Sequence, residues 1–280
     1  MPNILTTLLP SENIFTGVYE GGETNIKILG QIHQSPKLST THLNFLLQPF
    51  ESDPGDLVFL LEGLIEKAGH WGAKQMVAEI PIDSEIFSYF RKASFSVLAK
   101  QIIYKWDSGQ SHLSSPLDRG WRIWTCEDVL AMRSLYMMLV PPLIQPIEPL
   151  TRREMLGLVY YDERGNLQAY ADLVYGPAGA WVLPVIHPQV QIDVVDLLIQ
   201  MVIDLPERNG RPVYIVSRSY QPWVDQAMTT LPVEQGKEQA LMVRYLALRQ
   251  KAESAYAFSS IENGKTEPTI PLAPIKNHQD

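Results

Sequence analysis

Cysteine and histidine side chains, which bind zinc and act as nucleophiles or bases, are few in this sequence. There is one cysteine, Cys126, and there are six histidines: His33, His42, His70, His112, His187 and His278. No two histidines stand at the close spacing typical of zinc ligands, so the sequence favours no metal site. Proton transfer by a carboxylate or a histidine remains, and the candidates are Glu79 in "MVAEI" and His187 in "VIHP". Both residues lie near the ends of predicted strands.

The composition limits the class of protein. The chain has 280 residues, of which 45% are hydrophobic and 19% charged, so it can bury one large core or two smaller ones. A formal charge of -8 argues against a nucleic-acid partner, because nucleic-acid binders usually carry a basic face. One cysteine excludes an internal disulfide, and no leader or long apolar run predicts export or a membrane span. We therefore expect a cytoplasmic protein with no membrane partner.

The first hundred residues begin with strand-like alternation and then change period. "IFTGVYE", "IKILGQIHQ" and "LSTTHLNFLLQP" predict an antiparallel meander. A helical stripe follows, made of Leu57, Leu60, Leu61, Leu64, Ile65 and Ala68. Next come a buried strand, "KQMVAEIP", a short helix capped by Asp83, and a long strand over residues 95–106. The break between that helix and that strand lies at Ala93-Ser94.

The second half repeats this order of elements. A helical region over residues 127–155 precedes another meander, "LGLVYY", "LQAYADLVY" and "AWVLPVIHP". At one constant offset, the earlier stripe falls on Val194, Leu197, Leu198, Met201, Val202 and Leu205. "RPVYIVSR" and "EQALMVRYLAL" then supply the two later strands. The sequence predicts two copies of one fold, at residues 1–106 and 121–250, with a linker at 107–120 and a disordered tail at 251–280.

The repeated unit resembles the GCN5-related N-acetyltransferase (GNAT) superfamily of acyl-CoA-dependent acyltransferases. "YFRKASF", residues 89–95, is similar to the Phe-Tyr-Glu-Lys-x-Gly-Phe pattern that ends a family helix. "LLEGLIEKAGHWGAKQMVAEIP" is similar to the helix and strand before it. The resemblance covers residues 14–106 and 121–248. It implies an α/β (α+β) protein with two GNAT-like domains, each a mixed, mostly antiparallel sheet flanked by helices, the first trimmed at its N-terminus.

The resemblance also implies acetyl-CoA or another acyl-CoA as cofactor. In the family, two strands splay apart, the pantetheine pairs with the freed strand, and the next helix N-terminus binds the diphosphate. Neither copy has the family's glycine-rich phosphate loop, and the first copy has acidic residues in "QPFESDPGDLV". We therefore favour the second copy, with "HPQVQIDVVDLL", for CoA. The residues that the resemblance places at the cofactor sites are Leu46, Leu47, Val185, Ile186, Gln189 and Gln191.

Catalysis in this family needs a base for the attacking amine and an acid for the departing thiolate. Glu79 and His187 are the candidate bases because strand ends border the splay, although salt-bridged and capping roles also fit them. The tyrosine that serves many members as the acid is replaced by Phe90, which has no proton to give.

Two functions remain open at this point. The first is an N-acyltransferase that acts on a small-molecule or peptide amine. The second is a catalytically degenerate tandem module for binding or dimerisation, with a homodimer as one assembly. A doubly wound nucleotide-binding enzyme is excluded, because no strand is followed by a Gly-x-Gly turn into a helix.

Overall fold

The computed structural model describes residues 14–20, 27–35, 38–47, 54–107, 120–150, 156–206, 208 and 210–246. These residues belong to one compact unit that ends at Ala247. Most of the predicted linker and the whole predicted tail lie outside the described residues. No helix within the described part of the chain is long and apolar enough to cross a membrane.

The N-terminal half, residues 14–106, has the predicted order of elements. They are β1 (Ile14–Glu20), β2 (Lys27–Gln34), β3 (Thr40–Leu47), α1 (Pro54–His70), β4 (Gln75–Pro81), α2 (Glu85–Lys92) and β5 (Ser96–Trp106). The strands form where apolar and polar residues alternate with a period of two, and α1 forms where apolar residues recur with a period of 3.6. The predicted meander and helices of this half are confirmed.

The C-terminal half, residues 121–246, repeats that order after an additional helix. Its elements are β6 (Arg122–Ile123), a 3₁₀ turn (Cys126–Asp128), α3 (Val129–Leu139), β7 (Leu156–Tyr161), β8 (Leu167–Gly176), β9 (Gly179–Ile186), α4 (Val194–Ile203), β10 (Val213–Arg218), α5 (Pro222–Thr230), β11 (Glu234–Gln235) and β12 (Gln239–Tyr245). The first part of the predicted helical region is confirmed, because α3 ends at Leu139 as expected. Its continuation past Pro141 and Pro142 is wrong for residues 141–150, where turns follow, because the two prolines cannot donate the backbone hydrogen bonds of a helix. Residues 151–155 lie outside the described residues.

All strands of the described residues join one sheet in which the two halves interleave. The order is β1-β2-β3-β4-β12-β5-β10-β9-β8-β7-β6, and β11 pairs with β5. The last strand of the C-terminal half, β12, lies between β4 and β5 of the N-terminal half. In return, β5 pairs antiparallel with β10 of the C-terminal half. The last long strand of each half therefore pairs with strands of the other half. The predicted division into two domains stays a prediction.

Helices cover both faces of this sheet. In β12, Ala240 and Met242 pack with α1 and α2, while Leu241 and Val243 pack with α3 on the other face. Trp106 of β5 belongs to a third core with α4 and α5. This arrangement leaves the face on the α3 side as a surface to which both halves contribute.

The join between α2 and β5 has the predicted form. Ser94 adopts φ 62°, a left-handed conformation that favours glycine, which explains the glycine of the family pattern at this place. Phe90 and Phe95 are fully buried on either side of it, with ring centroids 5.0 Å apart. The join therefore ends one element, starts the next and fills the core.

The cap of α2 differs from the prediction. Ser84, and not Asp83, precedes the helix, and its hydroxyl accepts a hydrogen bond from the backbone N–H of Ile86 at 3.2 Å. Asp83 instead forms an exposed ion pair with Lys237 at 2.9 Å. A serine at the N-cap satisfies the same orphan N–H groups as an aspartate would.

A buried carboxylate anchors the start of α3. Asp128 accepts two hydrogen bonds from Arg122, at 2.8 and 2.6 Å, and others from Thr125 and the Tyr161 hydroxyl. The Arg122 guanidinium holds the pKa of Asp128 well below its usual range, against the effect of burial. Because the pKa is lowered on folding, this carboxylate stabilises the protein above pH about 4 and loses that effect as the pH falls.

We expect Asp128→Asn to lower the free energy of unfolding by about 1–3 kcal/mol at neutral pH, because charge-assisted hydrogen bonds are lost. The difference from the parent protein should shrink as the pH falls below about 4. Urea unfolding at several pH values measures both effects, with the exposed Glu163→Gln as the control. A difference that grows toward low pH would contradict this account.

Candidate active site

A cavity of about 540 Å³ lies on the α3 side of the sheet and is lined by both halves. The N-terminal half contributes His33, His42, Asn44 and Glu79. The C-terminal half contributes Tyr136, Val140, Ile147, Glu148, Pro149, Tyr170, Asp172, Val174, Trp181, Leu183, Val185, Arg218 and Tyr220. The volume is in the range of small-molecule sites.

A buried guanidinium organises the charged part of the cavity. Arg218, at the end of β10, is 2% exposed and donates hydrogen bonds to the Glu148 carboxylate and to the side-chain oxygen of Gln101. Its Nη2 also lies 3.5 Å from Oε1 of Glu79, whose side chain is 42% exposed. Burial raises the pKa of Glu148, and the charge of Arg218 opposes that shift. One arginine thus joins a buried carboxylate to an accessible one.

Three protonated, neutral tyrosines lie around this ion pair. The Tyr136 hydroxyl lies 3.0 and 2.9 Å from the backbone oxygens of Gln145 and Glu148, which fixes the segment after α3 against that helix. The Tyr220 hydroxyl lies 3.5 Å from Oε2 of Glu148. Burial raises the pKa of Tyr136 to about 12, and it raises the pKa of Tyr170 and Tyr220 as well. All three hydroxyls therefore keep their protons at neutral pH.

The first splay predicted from the family resemblance lies between β3 and β4. The parallel ladder of these strands ends at His42, which pairs with Val77. Beyond it, Asn44 on β3 and Glu79 on β4 both line the cavity. Within the described residues, no side chain hydrogen-bonds to the backbone of residues 43–47 to close this opening. Along this stretch β3 pairs with β2 on one edge, while its edge toward β4 has no strand partner beyond His42 within the described residues.

The second splay, between β9 and β10, is filled by the protein itself. Its ladder ends at Val182. The fully buried side chain of Gln221 then donates to the Pro184 oxygen and accepts from the Ile186 N–H, both at 2.9 Å. The indole N–H of Trp223 donates to the Ile186 oxygen at 3.1 Å. Backbone groups of Pro184 and Ile186 in this opening are therefore already hydrogen-bonded within the protein.

The predicted site residues separate into two groups in the structure. Glu79 lines the cavity, close to the N-terminal splay. Leu46 and Leu47 lie on β3 beyond the end of its ladder with β4. These positions agree with the expected neighbourhood of a cofactor, although the roles of the three residues stay predictions.

The other predicted residues lie around the filled splay. Val185 and Ile186 are buried in β9. His187 follows them outside the cavity lining, and its Nδ1 accepts a hydrogen bond from the backbone N–H of Gln189 at 3.0 Å. Gln189 and Gln191 are exposed in the turn before α4. His187 thus makes a local contact in the turn before α4, and the N-cap of that helix is Asp193.

Several cavity residues were not identified from the sequence. Glu148 and Arg218 are 70 positions apart and Tyr136 precedes Glu148 by 12, so no short motif unites them. The sequence feature that could have identified this site is Arg218, a charged residue at the end of the apolar strand "VYIVSR".

His42 and His33 pair across β3 and β2 at the edge of the cavity. The described residues hold no cluster of three or more metal-ligating side chains.

Solved structures align with most of the chain. A functionally unknown conserved protein from Staphylococcus epidermidis ATCC 12228 gives a TM-score of 0.56 at 12% identity, covering 82% of this chain and 95% of its own. A GCN5-related N-acetyltransferase from Sphaerobacter thermophilus gives 0.54 at 12% identity, covering 85% and 82%. Another, from Kribbella flavida, gives 0.50 at 13% identity, covering 79% and 87%.

No protein-family model matches the sequence, and no curated protein gives a significant match. Identities of 12–13% show the fold and leave the reaction open. The order of elements, the two splays and these alignments agree with the resemblance seen in the sequence. The chain therefore has the fold of the GCN5-related N-acetyltransferases.

Proposed function

We propose that this protein is an N-acyltransferase that takes an acyl-CoA donor at the N-terminal splay and an amine acceptor in the cavity. One observation carries the proposal. The unfilled opening between β3 and β4 meets a cavity of small-molecule size, and Glu79 lines that cavity beside the opening. The fold of known N-acetyltransferases supports the same reaction class.

Each residue of the site has a separate role in the proposed acyl transfer. Bound acyl-CoA supplies an activated thioester carbonyl, and the backbone of residues 43–47 would hold its pantetheine. Glu79 would accept a proton from the acceptor's ammonium group, and the free amine would then form the new C–N bond as the thioester C–S bond breaks. CoA would leave as the thiolate and take up the remaining amine proton by way of solvent. Arg218 orients Glu79 through their 3.5 Å contact, and the buried Glu148 holds Arg218 in place.

Only one donor site is proposed, although the fold is repeated. The preference for the second copy rested on Glu51, Asp53 and Asp56 in "QPFESDPGDLV". Glu51 and Asp53 lie outside the described residues, and Asp56 lies in the first turn of α1. The hydrogen bonds of Gln221 and Trp223 weigh against CoA between β9 and β10. We therefore assign the second splay a structural role.

Calorimetric titration with acetyl-CoA tests the donor site. We expect the parent protein to bind one acetyl-CoA per chain, because one splay is open. Asn44→Trp should weaken binding by at least about tenfold, because its bulk narrows the opening. Gln189→Glu and Gln191→Glu, which add charge where a second diphosphate would lie, should leave the Kd unchanged within about twofold.

Two results would count against this proposal. Absence of any heat or thermal shift with acetyl-CoA would remove the acyltransferase function and favour the binding module. A loss of binding in the glutamine variants but not in Asn44→Trp would instead move the donor to the second copy.

A further inference from the structure

One wall of the cavity is made by three alternate cross-strand pairs of β8 and β9. Tyr170 lies opposite Val185, Asp172 opposite Leu183, and Val174 opposite Trp181. All six side chains line the cavity, because alternate residues of paired strands face the same side. Five of the six are apolar or aromatic. The C-terminal half therefore presents a largely apolar surface to the cavity.

This wall runs from the floor of the cavity to its mouth. Tyr170 and Val185 are each 2% exposed, Leu183 is 8% exposed, and Val174 is 45% exposed. Trp181, opposite Val174, is half-buried. An exposed valine beside a half-buried tryptophan at a cavity mouth is the kind of apolar surface that a ligand covers. The graded exposure indicates a binding surface for an elongated apolar group.

The charged groups of the cavity lie mainly elsewhere. Glu79 belongs to β4, and the buried pair of Arg218 and Glu148 joins the end of β10 to the segment after α3. The wall itself contains one charged residue, Asp172, in its middle pair with Leu183. The cavity is therefore polar near the open splay and mainly apolar along β8 and β9.

We propose that the acceptor is an amphipathic primary amine whose ammonium group lies at Glu79 and whose apolar body of several carbons lies against the β8–β9 wall. This inference rests on the proposed function and names its acceptor class. The N-terminal half would supply the chemistry. The C-terminal half, whose own splay Gln221 fills, would supply the selection of the acceptor.

Each methylene group that enters such a surface should tighten binding by about fourfold. An amine with a second charge at its far end would lose that gain, because an ammonium group against apolar side chains is poorly solvated. n-Propylamine, n-hexylamine and 1,6-diaminohexane separate these effects with simple probes.

Calorimetric titration of the full chain with these three amines tests the inference. We expect n-hexylamine to bind at least about tenfold tighter than n-propylamine and than 1,6-diaminohexane. Val174→Asp and Trp181→Ser should reduce this preference to within about threefold. Ile203→Asp, which changes a similarly exposed residue on α4, should retain it. Both wall positions are partly exposed, so these variants are expected to fold.

The inference is overturned if propylamine and hexylamine bind equally, if the diamine binds as tightly as hexylamine, or if the wall variants keep the parent's preference. A chain-length preference for hexanoyl-CoA over acetyl-CoA, with none among the amines, would assign the wall to the acyl group and also overturn it. Acetyl-CoA binding without amine discrimination removes this inference alone. Amine discrimination without acetyl-CoA binding removes the acyltransferase reaction and supports the amine site.

Discussion

Glu79→Gln should lower kcat for acyl transfer by about 10²–10⁴-fold while changing the Kd for acetyl-CoA by less than about threefold. The amide has nearly the shape of the carboxylate, but it cannot accept the proton of the acceptor's ammonium group. Because Glu79 lies in the cavity and not on the backbone that would hold pantetheine, donor binding should survive. Thiol release with n-hexylamine as acceptor, measured together with acetyl-CoA titration, separates the two effects.

A matched glutamate provides the control. Glu234 is exposed on β11 and contacts Lys105, away from the cavity, so Glu234→Gln should leave kcat unchanged. Loss of activity in His187→Gln with full activity in Glu79→Gln would show that the base lies at the other residue predicted from the sequence. That result would also contradict the placement of the reaction at the N-terminal splay.

Arg218→Met should lower the free energy of unfolding by about 3–5 kcal/mol at neutral pH. The variant leaves the Glu148 carboxylate buried without its main partner. Burial already raises the pKa of Glu148, and loss of Arg218 raises it further. A raised carboxyl pKa destabilises the fold above the unfolded value of about 4.3, so the deficit should shrink as the pH falls toward 4.

The double variant Arg218→Met with Glu148→Gln should recover most of that loss, because a neutral amide no longer needs a cationic partner. Urea unfolding of the parent, both single variants and the double variant gives the coupling free energy directly. A loss below about 1 kcal/mol in Arg218→Met, or no recovery in the double variant, would show that the pair is not the centre of the cavity's charge network.

Much of the fold could be predicted from the sequence, because its signals are local. Alternation in "IFTGVYE" and "LGLVYY" produced β1 and β7 with their observed bounds. The apolar stripe from Leu57 to Ala68 produced α1, and Ser94 with its left-handed backbone marks the break before β5. In each case residues close together in the sequence determine the secondary structure, and tertiary contacts only stabilise it further.

The exchange of β5 and β12 could not be predicted in the same way. Both strands alternate as strands of an isolated domain would, and alternation does not specify which strand lies beside which. Pairing of Leu241 with Ala99, from strands far apart in the chain, is decided by the whole sheet. The predicted domain bounds therefore carried no information about this interleaving.

The candidate site was predicted in part, for a similar reason. Glu79 could be proposed because a carboxylate near a strand end is visible locally, and the structure places it in the cavity. Gln221 precedes a proline and looks like a turn residue, so nothing in the sequence shows that its side chain fills a splay. The Arg218–Glu148 pair likewise exists only through folding, because its members belong to distant segments.

The crystal structure of the protein with bound CoA tests the central claim most directly, namely that the repeated fold has one working donor site. We predict pantetheine between β3 and β4, with its thiol directed toward Glu79, and Gln221 still bonded to Pro184 and Ile186. Pantetheine between β9 and β10, with the Gln221 side chain displaced, would contradict the claim.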